Sequence, residues 1–118
     1  PSTATPGVAS SRLLPMHTGN LFKDAVPPPD GERFETLLEH KNLVVERIVS
    51  PASTARAEYL QPQDEWVLLL KGEATMTVGG EQVELNSGDY VFLPARVPHT
   101  VEKVSEGAVW LAVHLHQE

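Results

Sequence analysis

The sequence predicts an all-β fold in which short antiparallel strands form a closed or sandwiched barrel. Short apolar runs recur along the chain, turn residues separate them, and no heptad or internal repeat interrupts the pattern. The chain has 118 residues. This length predicts a single domain that is large enough to bury a hydrophobic core.

We divide the chain into three segments. Residues 1–15 are rich in Pro, Ser, Thr, Ala and Gly and lack periodicity, so we predict that they are disordered. They are either an upstream extension or vector-derived residues ahead of a natural start at Met16. Residues 16–32 are predicted to form an N-terminal arm, and residues 33–118 the barrel.

The arm ends in a stiff, proline-rich turn at Pro27–Gly31. Its apolar side chains, Leu21, Phe22 and Val26, are expected to pack on the outside of the barrel or on a partner subunit. In residues 1–15, no basic stretch is followed by an apolar core, so we do not expect that segment to be a secretory signal.

The first predicted strands lie between residues 33 and 70. Phe34–Leu38 fits either a helical turn or one strand of a hairpin, and the strand that follows favours the hairpin. Leu43–Val49 is rich in β-branched residues, and Arg56–Leu60 is a short candidate strand. Glu65–Leu70 is apolar at successive positions, which is typical of a strand buried on both faces.

A hairpin is predicted next. Apolar and polar residues alternate in Glu73–Val78 and again in Gln82–Leu85. Gly79-Gly80 lies between the two runs, and a two-residue hairpin turn favours glycine because both positions need positive φ. A turn at Asn86–Asp89 ends the second run. The remaining predicted strands are Tyr90–Leu93, His99–Val104 and Ala108–His116.

Composition excludes several functional classes. The formal net charge is −7, which disfavours nucleic acid and anionic membrane surfaces because both require a basic patch. The longest apolar run, Trp66–Leu70, is too short to cross a bilayer. There is no cysteine, so disulfides, thiolate metal sites and cysteine nucleophiles are excluded. This composition fits a cytoplasmic location.

Two spaced motifs carry a family resemblance. Glu65 lies seven positions before Gly72, and a second glycine lies six positions before Pro94, which His99 follows by five. This spacing resembles the two motifs of the cupin superfamily, small β-barrels that often hold a metal. The resemblance covers roughly residues 43–116. It implies a jelly-roll barrel, also called a double-stranded β-helix, that pairs with a second copy as a homodimer.

The resemblance also implies a metal site. In cupins the first motif supplies two histidines and a glutamate, and the second motif supplies one histidine. Glu65 and His99 match, while the two other histidine positions fall on Tyr59 and Gln61. Gln61 can ligate through its amide oxygen, but Tyr59 only as a phenolate. The implied ligands are therefore Gln61, Glu65 and His99. Manganese, iron or nickel suits this set better than zinc.

Alternation along a strand decides which side chains share a face. If Glu65 points inward, Leu69 does too, and Gln61 joins them if the register persists across the intervening turn. His99 and Lys103 share a face of their strand. Two simpler interpretations remain open. Glu65 can pair with Arg96 or a backbone amide instead of a metal, and His99 can simply begin a strand.

His114 and Tyr59 are candidate catalytic residues that would move protons. The chain resembles a subset of small cupins in which Tyr-x-Gln precedes Asp-Glu-Trp-Val and Trp-Leu-Ala-Val-His closes the domain. The last strand is apolar on both faces, so the orientation of His114 stays open. In the alternative interpretations, His114 and His116 form a surface pair, and Tyr59 lines the pocket.

Three functions compete. The first is a metal-dependent enzyme acting on a small polar metabolite, with dioxygenation, isomerisation, decarboxylation and lyase reactions implied by the resemblance. The second is a barrel that binds a small ligand, with or without a metal, and does not turn it over. The third is a structural or dimerising barrel with a degenerate site.

Overall fold

The computed structural model describes residues 18–51 and 56–117, so the extension predicted at residues 1–15 and the start at Met16 lie outside the described residues. The described residues form nine strands. They contain no helix that is long and apolar enough to cross a membrane. The strands are β1 Arg33–His40, β2 Leu43–Val49, β3 Ala57–Tyr59, β4 Asp64–Lys71, β5 Glu73–Val78, β6 Glu81–Asn86, β7 Tyr90–Leu93, β8 His99–Val104 and β9 Val109–Leu115.

The strands form two antiparallel sheets that enclose the core. The five-stranded sheet has the order β1-β2-β9-β4-β7, and the four-stranded sheet has the order β3-β8-β5-β6. All pairings are antiparallel. The prediction of an all-β antiparallel barrel is therefore confirmed for the part of the chain that the structure describes.

The ambiguous segment Phe34–Leu38 is a strand. It lies within β1, which pairs with β2 from Arg33 opposite Val49 to His40 opposite Leu43. The turn between the two strands places Lys41 at φ 55°. Pairing with the β-branched strand that follows decides the conformation of this segment, as the hairpin prediction requires.

The predicted glycine turn joins β5 to β6. Gly79 and Gly80 have φ values of 55° and 89°, and Val78 pairs with Glu81 across the turn. Two successive positive φ values match the twist of the flanking strands. This prediction is confirmed.

The core lies between the sheets. In β4, every second side chain points into it. Glu65, Val67 and Leu69 are buried, while the residues between them are half-buried. Trp110 from β9 is also in the core, and its indole N–H donates to the hydroxyl of Ser50 over 3.1 Å. Pairing of this N–H is expected, because a buried indole without an acceptor would be destabilising.

A β-bulge in β8 contradicts one prediction about which side chains share a face of a strand. Met76 on β5 pairs with Val101, whereas its neighbour Thr75 pairs with Lys103, so Glu102 is an extra residue on β8. The alternation from His99 therefore breaks before Lys103, which is exposed. The prediction that His99 and Lys103 share a face is wrong, and Val104 packs against the core instead.

The outer face of the five-stranded sheet carries an apolar row across all five strands, which we call the outer row. Its members lie opposite one another in register and are Leu38, Val45, Val113, Trp66 and Phe92. None is fully buried, and Phe92 is 54% exposed. The ring of Trp66 contacts that of Tyr90, which is also exposed, at a centroid distance of 5.5 Å.

The arm is held against the sheet through its backbone. The guanidinium of Arg47 is buried and donates to the carbonyls of Leu21 and Lys23, at 3.1 and 2.6 Å. Phe22 and Val26 remain mostly exposed. Hydrogen bonds to arm carbonyls therefore satisfy an arginine that would otherwise be costly to bury.

Candidate functional site

A cavity of about 140 Å³ lies between the two sheets. Apolar side chains form much of its wall, among them Val67, Leu93 and Trp110. A small set of polar side chains converges on it, as in ligand pockets generally. The polar residues are Glu32, Glu46, Tyr59, Gln61, Glu65, His99 and His114.

Glu65 points into this cavity. Its relative exposure is 6%, and its backbone lies opposite His114 on β9 and Leu93 on β7. Gln61 lies at the same place, because its amide nitrogen donates to Glu65 Oε1 over 2.9 Å. Among the described residues Glu65 forms no ion pair with Arg96, whose backbone N–H donates to the carbonyl of Gln61.

His99 begins β8 and is 4% exposed. Its ring stacks on that of Tyr59 at a centroid distance of 5.3 Å, because the two residues lie opposite each other in the β3–β8 pair. Burial lowers the pKa of His99, although the carboxylate of Glu65 acts in the opposite direction. A hydrogen bond between the ring and the backbone of Val97 also raises this pKa, and the Nδ1 atom is buried without a hydrogen-bond partner among the described residues. An unsatisfied buried ring nitrogen of this kind marks a place where a ligand atom fits.

Tyr59 is a neutral phenol. Burial, followed by the carboxylates of Glu32 and Glu65, raises its pKa to about 12. Its hydroxyl donates to Glu32 Oε1 over 3.4 Å. These surroundings oppose ionisation, so a phenolate metal ligand is unfavourable here. The geometry agrees with the alternative in which Tyr59 lines the pocket.

His114 faces the interior, which resolves the orientation left open by the sequence. It is 8% exposed, while His116 lies exposed beyond the end of β9. Its Nε2 lies 2.8 Å from Glu46 Oε1, and its Nδ1 lies 3.2 Å from Gln63 Nε2. The interpretation of His114 and His116 as a surface pair is therefore wrong.

The electrostatic surroundings of His114 favour its protonated form. The hydrogen bond that His114 donates to Glu46 raises the pKa of the imidazole, burial opposes this, and the nearby charges of Glu65 and Glu46 raise it further. Glu65 Oε1 lies 3.9 Å from Nδ1. In the neutral form, the contact with the amide nitrogen of Gln63 requires the proton to sit on Nε2, where it donates to Glu46.

Sequence reasoning missed three polar residues of this site. Glu46 occupies the inward register of β2 together with Val44 and Ile48, and a lone carboxylate in that register was an available signal. Glu32 lies just ahead of β1 and accepts a hydrogen bond from Ser50 over 2.7 Å. Burial raises its pKa. Neither Glu32 nor Gln63 carries a signal in the sequence pattern.

The donor set is sparse for a metal. Within the described residues, no three side chains from His, Cys, Asp and Glu are grouped closely enough to hold an ion. The predicted set therefore depends on Gln61 as the third donor, and its amide nitrogen points towards Glu65. With a single imidazole, these residues fit a loosely held divalent ion better than a tightly held zinc.

The chain is similar to a protein-family model, to solved structures and to curated protein sequences. The family model described as "Cupin domain" matches residues 45–114. A candidate mannose-6-phosphate isomerase from Ralstonia eutropha JMP134 is 39% identical, with a TM-score of 0.76 over 87% of this chain and 100% of that one. An uncharacterised protein of Streptomyces coelicolor is 32% identical over 77 residues, which are 65% of this chain and 72% of that protein.

Proposed function

Because this chain belongs to the cupin family, we propose that its barrel binds a small polar metabolite in the cavity between the two sheets. The observation that carries the proposal is the unpartnered Nδ1 of His99, a residue that is 4% exposed. A buried polar atom without a partner costs about 1–3 kcal/mol, and a ligand that supplies the missing hydrogen bond recovers it.

Binding is tested first by thermal-shift screening of small polar metabolites, followed by calorimetry and product analysis of each compound that binds. Binding without product supports a ligand-binding barrel. Turnover supports an enzyme. If no compound stabilises the protein, the structural or dimerising barrel becomes the better description.

Proton transfer by His114 is the step that these side chains support best if the ligand is turned over. Its contact with Glu46 makes the imidazole more basic, and Tyr59 retains its proton at neutral pH. The similar Ralstonia eutropha protein is described as a candidate mannose-6-phosphate isomerase. Aldose–ketose isomerisation, which moves a proton between neighbouring carbons, is therefore the first reaction to assay.

A divalent transition metal is a second candidate ligand of the same cavity, favoured because His99, Glu65 and Gln61 all line it and the carboxylate of Glu65 acts electrostatically on the His99 ring. His99, Glu65 and Gln61 would hold it, with the Gln61 amide turned to present its oxygen. Two oxygen donors and one nitrogen suit manganese, iron or nickel better than zinc. The ion would supply Lewis acidity to a polar substrate.

Elemental mass spectrometry of the purified protein tests the metal proposal. Because the ion is expected to be held loosely, we expect manganese, iron or nickel to be taken up when it is added in excess, with at least a tenfold lower content in His99→Ala, because this change removes the one imidazole of the set. His40→Ala, at an exposed histidine of β1, is the matched control and should retain the ion. Protein that contains no metal and takes none up on titration would contradict the proposal.

We also propose that two copies of the chain pair through the outer row. The row is a contiguous line of apolar side chains, exposed at its two ends at Leu38 and Phe92 and half-buried between them, and contiguous apolar patches mark interaction surfaces. The exposed rings of Tyr90 and Phe92 lie at one end of this face.

Light scattering coupled to size exclusion tests the dimer. The unmodified protein is expected to elute at twice the monomer mass, and Phe92→Glu as a monomer, because a carboxylate cannot be buried there without a partner. Gln82→Glu introduces the same charge at an exposed site on the other sheet and should remain dimeric. A monomeric unmodified protein would rule the dimer out.

A further inference from the structure

The cavity has an excess of negative charge that the chain itself does not neutralise. Three carboxylates line it, from Glu32, Glu46 and Glu65, and no lysine or arginine is among its described lining residues. Among the described residues that line the cavity, the imidazole of His114 is the cationic group nearest to them, 2.8 Å from Glu46 and 3.9 Å from Glu65. At least one carboxylate therefore lacks a positive partner in a largely buried site, which is costly unless a ligand supplies the charge.

The arginines that directly follow Glu32 and Glu46 in the sequence form hydrogen bonds outside the cavity. Arg47 binds Glu35 and the carbonyls of the arm, and Arg33 binds the carbonyls of Asp24 and Val26. The carboxylates in the cavity are satisfied only by neutral donors apart from His114. Glu32 accepts from the hydroxyls of Ser50 and Tyr59, and Glu65 accepts from the amide of Gln61.

His99 provides a second, independent indication of what is missing. The residue lines the cavity and has a relative exposure of only 4%. Its ring nitrogen Nδ1 has no hydrogen-bond partner among the described residues. A neutral imidazole with its proton on Nε2 accepts a hydrogen bond at Nδ1. An N–H group of a cationic ligand supplies that bond, whereas a carboxylate or phosphate group supplies no donor when ionised.

Resting on the proposed binding function, we infer that the preferred ligand of the metal-free protein is a small organic cation whose ammonium group lies between Glu65 and His99, in the place that the divalent ion would otherwise take. The aromatic side chains of Tyr59 and Trp110 line the same cavity, and aromatic rings are groups that attract cations. The volume of about 140 Å³ is close to that of an engineered protein cavity, about 150 Å³, that holds benzene. Phosphate esters and carboxylates are disfavoured, because the described lining holds no lysine or arginine to receive them.

Calorimetry with charge-matched compounds tests the inference on protein freed of metal with a chelator. One series is 2-amino-1,3-propanediol, glycerol and glycerate. The other is cyclopentylamine, cyclopentanol and cyclopentanecarboxylate. In at least one series we expect the amine to bind at least tenfold more tightly than the alcohol, and the carboxylate to show no binding. A tenfold ratio corresponds to about 1.4 kcal/mol.

Matched variants locate the effect. Glu65→Gln keeps the shape of the side chain and should reduce the preference for the amine to less than threefold. Glu32→Gln serves as a second variant in case Glu65→Gln does not fold, and should also weaken the preference. Glu84→Gln makes the same charge change at an exposed position of β6 and should leave the preference intact.

The possible failures are distinguishable. If the alcohol or the carboxylate binds as tightly as the amine and His99→Ala removes that binding, the inference is overturned while the proposed binding function stands. The same conclusion follows if alcohols or carboxylates bind only after manganese or nickel is restored. If no compound of either series binds and the metabolite screen is also negative, both the inference and the proposed function fail.

Discussion

Substitution of Gly72 by alanine is expected to lower the free energy of unfolding by about 3 kcal/mol. Gly72 has a φ of 110°, in the region that side-chain-bearing residues rarely adopt, which costs about 1–2 kcal/mol. An added Cβ would lie 2.6 Å from Ser105 Oγ and 2.9 Å from Ala108 Cβ. Overpacking of this kind costs about 1–3 kcal/mol.

Ser105 cannot move away without a further loss, because its hydroxyl accepts the backbone N–H of Glu73 over 2.9 Å. Denaturant unfolding of Gly72→Ala measures the change. Gly80→Ala is the control, since φ there is 89° but nothing lies within 4 Å of the added Cβ. It should cost only about 1 kcal/mol. Equal costs for the two variants would show that the backbone conformation, and not the contact with Ser105 and Ala108, dominates.

Glu46→Gln is expected to lower the free energy of unfolding by about 2 kcal/mol at pH 6. The side chains of Glu46 and His114 are only 16% and 11% exposed and lie 2.8 Å apart. A hydrogen bond to a charged group contributes about 1.5–3 kcal/mol. Glutamine keeps an acceptor but removes the charge. Urea unfolding of the metal-free protein at pH 6 gives the value, with the exposed Glu39→Gln as the control.

The same pair predicts a pH dependence of stability. The pKa of His114 is raised in the folded protein, so the folded state holds more protons than the unfolded state above pH 6.5. The stabilisation is complete below pH 6.5 and is lost as the pH rises through the folded pKa. His99 acts in the opposite sense, and its window lies below pH 6.5 because its pKa is lowered.

Unfolding measured from pH 6.5 to 9 should therefore show stability falling in the unmodified protein and in Glu39→Gln, and a smaller fall in Glu46→Gln. The difference between the two variants isolates His114 from every other group that titrates in this range. An identical fall in both variants would refute the role of Glu46.

The two-sheet fold was predictable because local signals act directly on the backbone. The glycine pair at Gly79-Gly80 specifies its own turn, and the apolar run of β4 predicts a strand, although only one of its faces is buried and the other is half-buried. The meeting of Gln61 with Glu65 also followed from register across one short turn. Whether these residues bind a ligand or a metal stays a prediction.

Other parts of the site depend on contacts between distant segments. β9 is apolar on both faces, so the direction of His114 is decided only by its pairing with β2 and β4. The bulge at Glu102 shifts the register of β8, and no glycine or other turn residue in the sequence indicates its position. Glu32 reaches the cavity through its bond to Ser50, 18 positions away, which no local pattern encodes.

The position of β9 has a consequence for how the molecule is made. It is the last strand that the structure describes, yet it lies in the middle of its sheet, where it joins the β1–β2 hairpin to β4. During synthesis, the edge of β2 that pairs with β9 stays unpaired until residues 109–115 have left the ribosome. Such nascent edges are prone to aggregation. This sheet therefore cannot be completed before β9 has been synthesised.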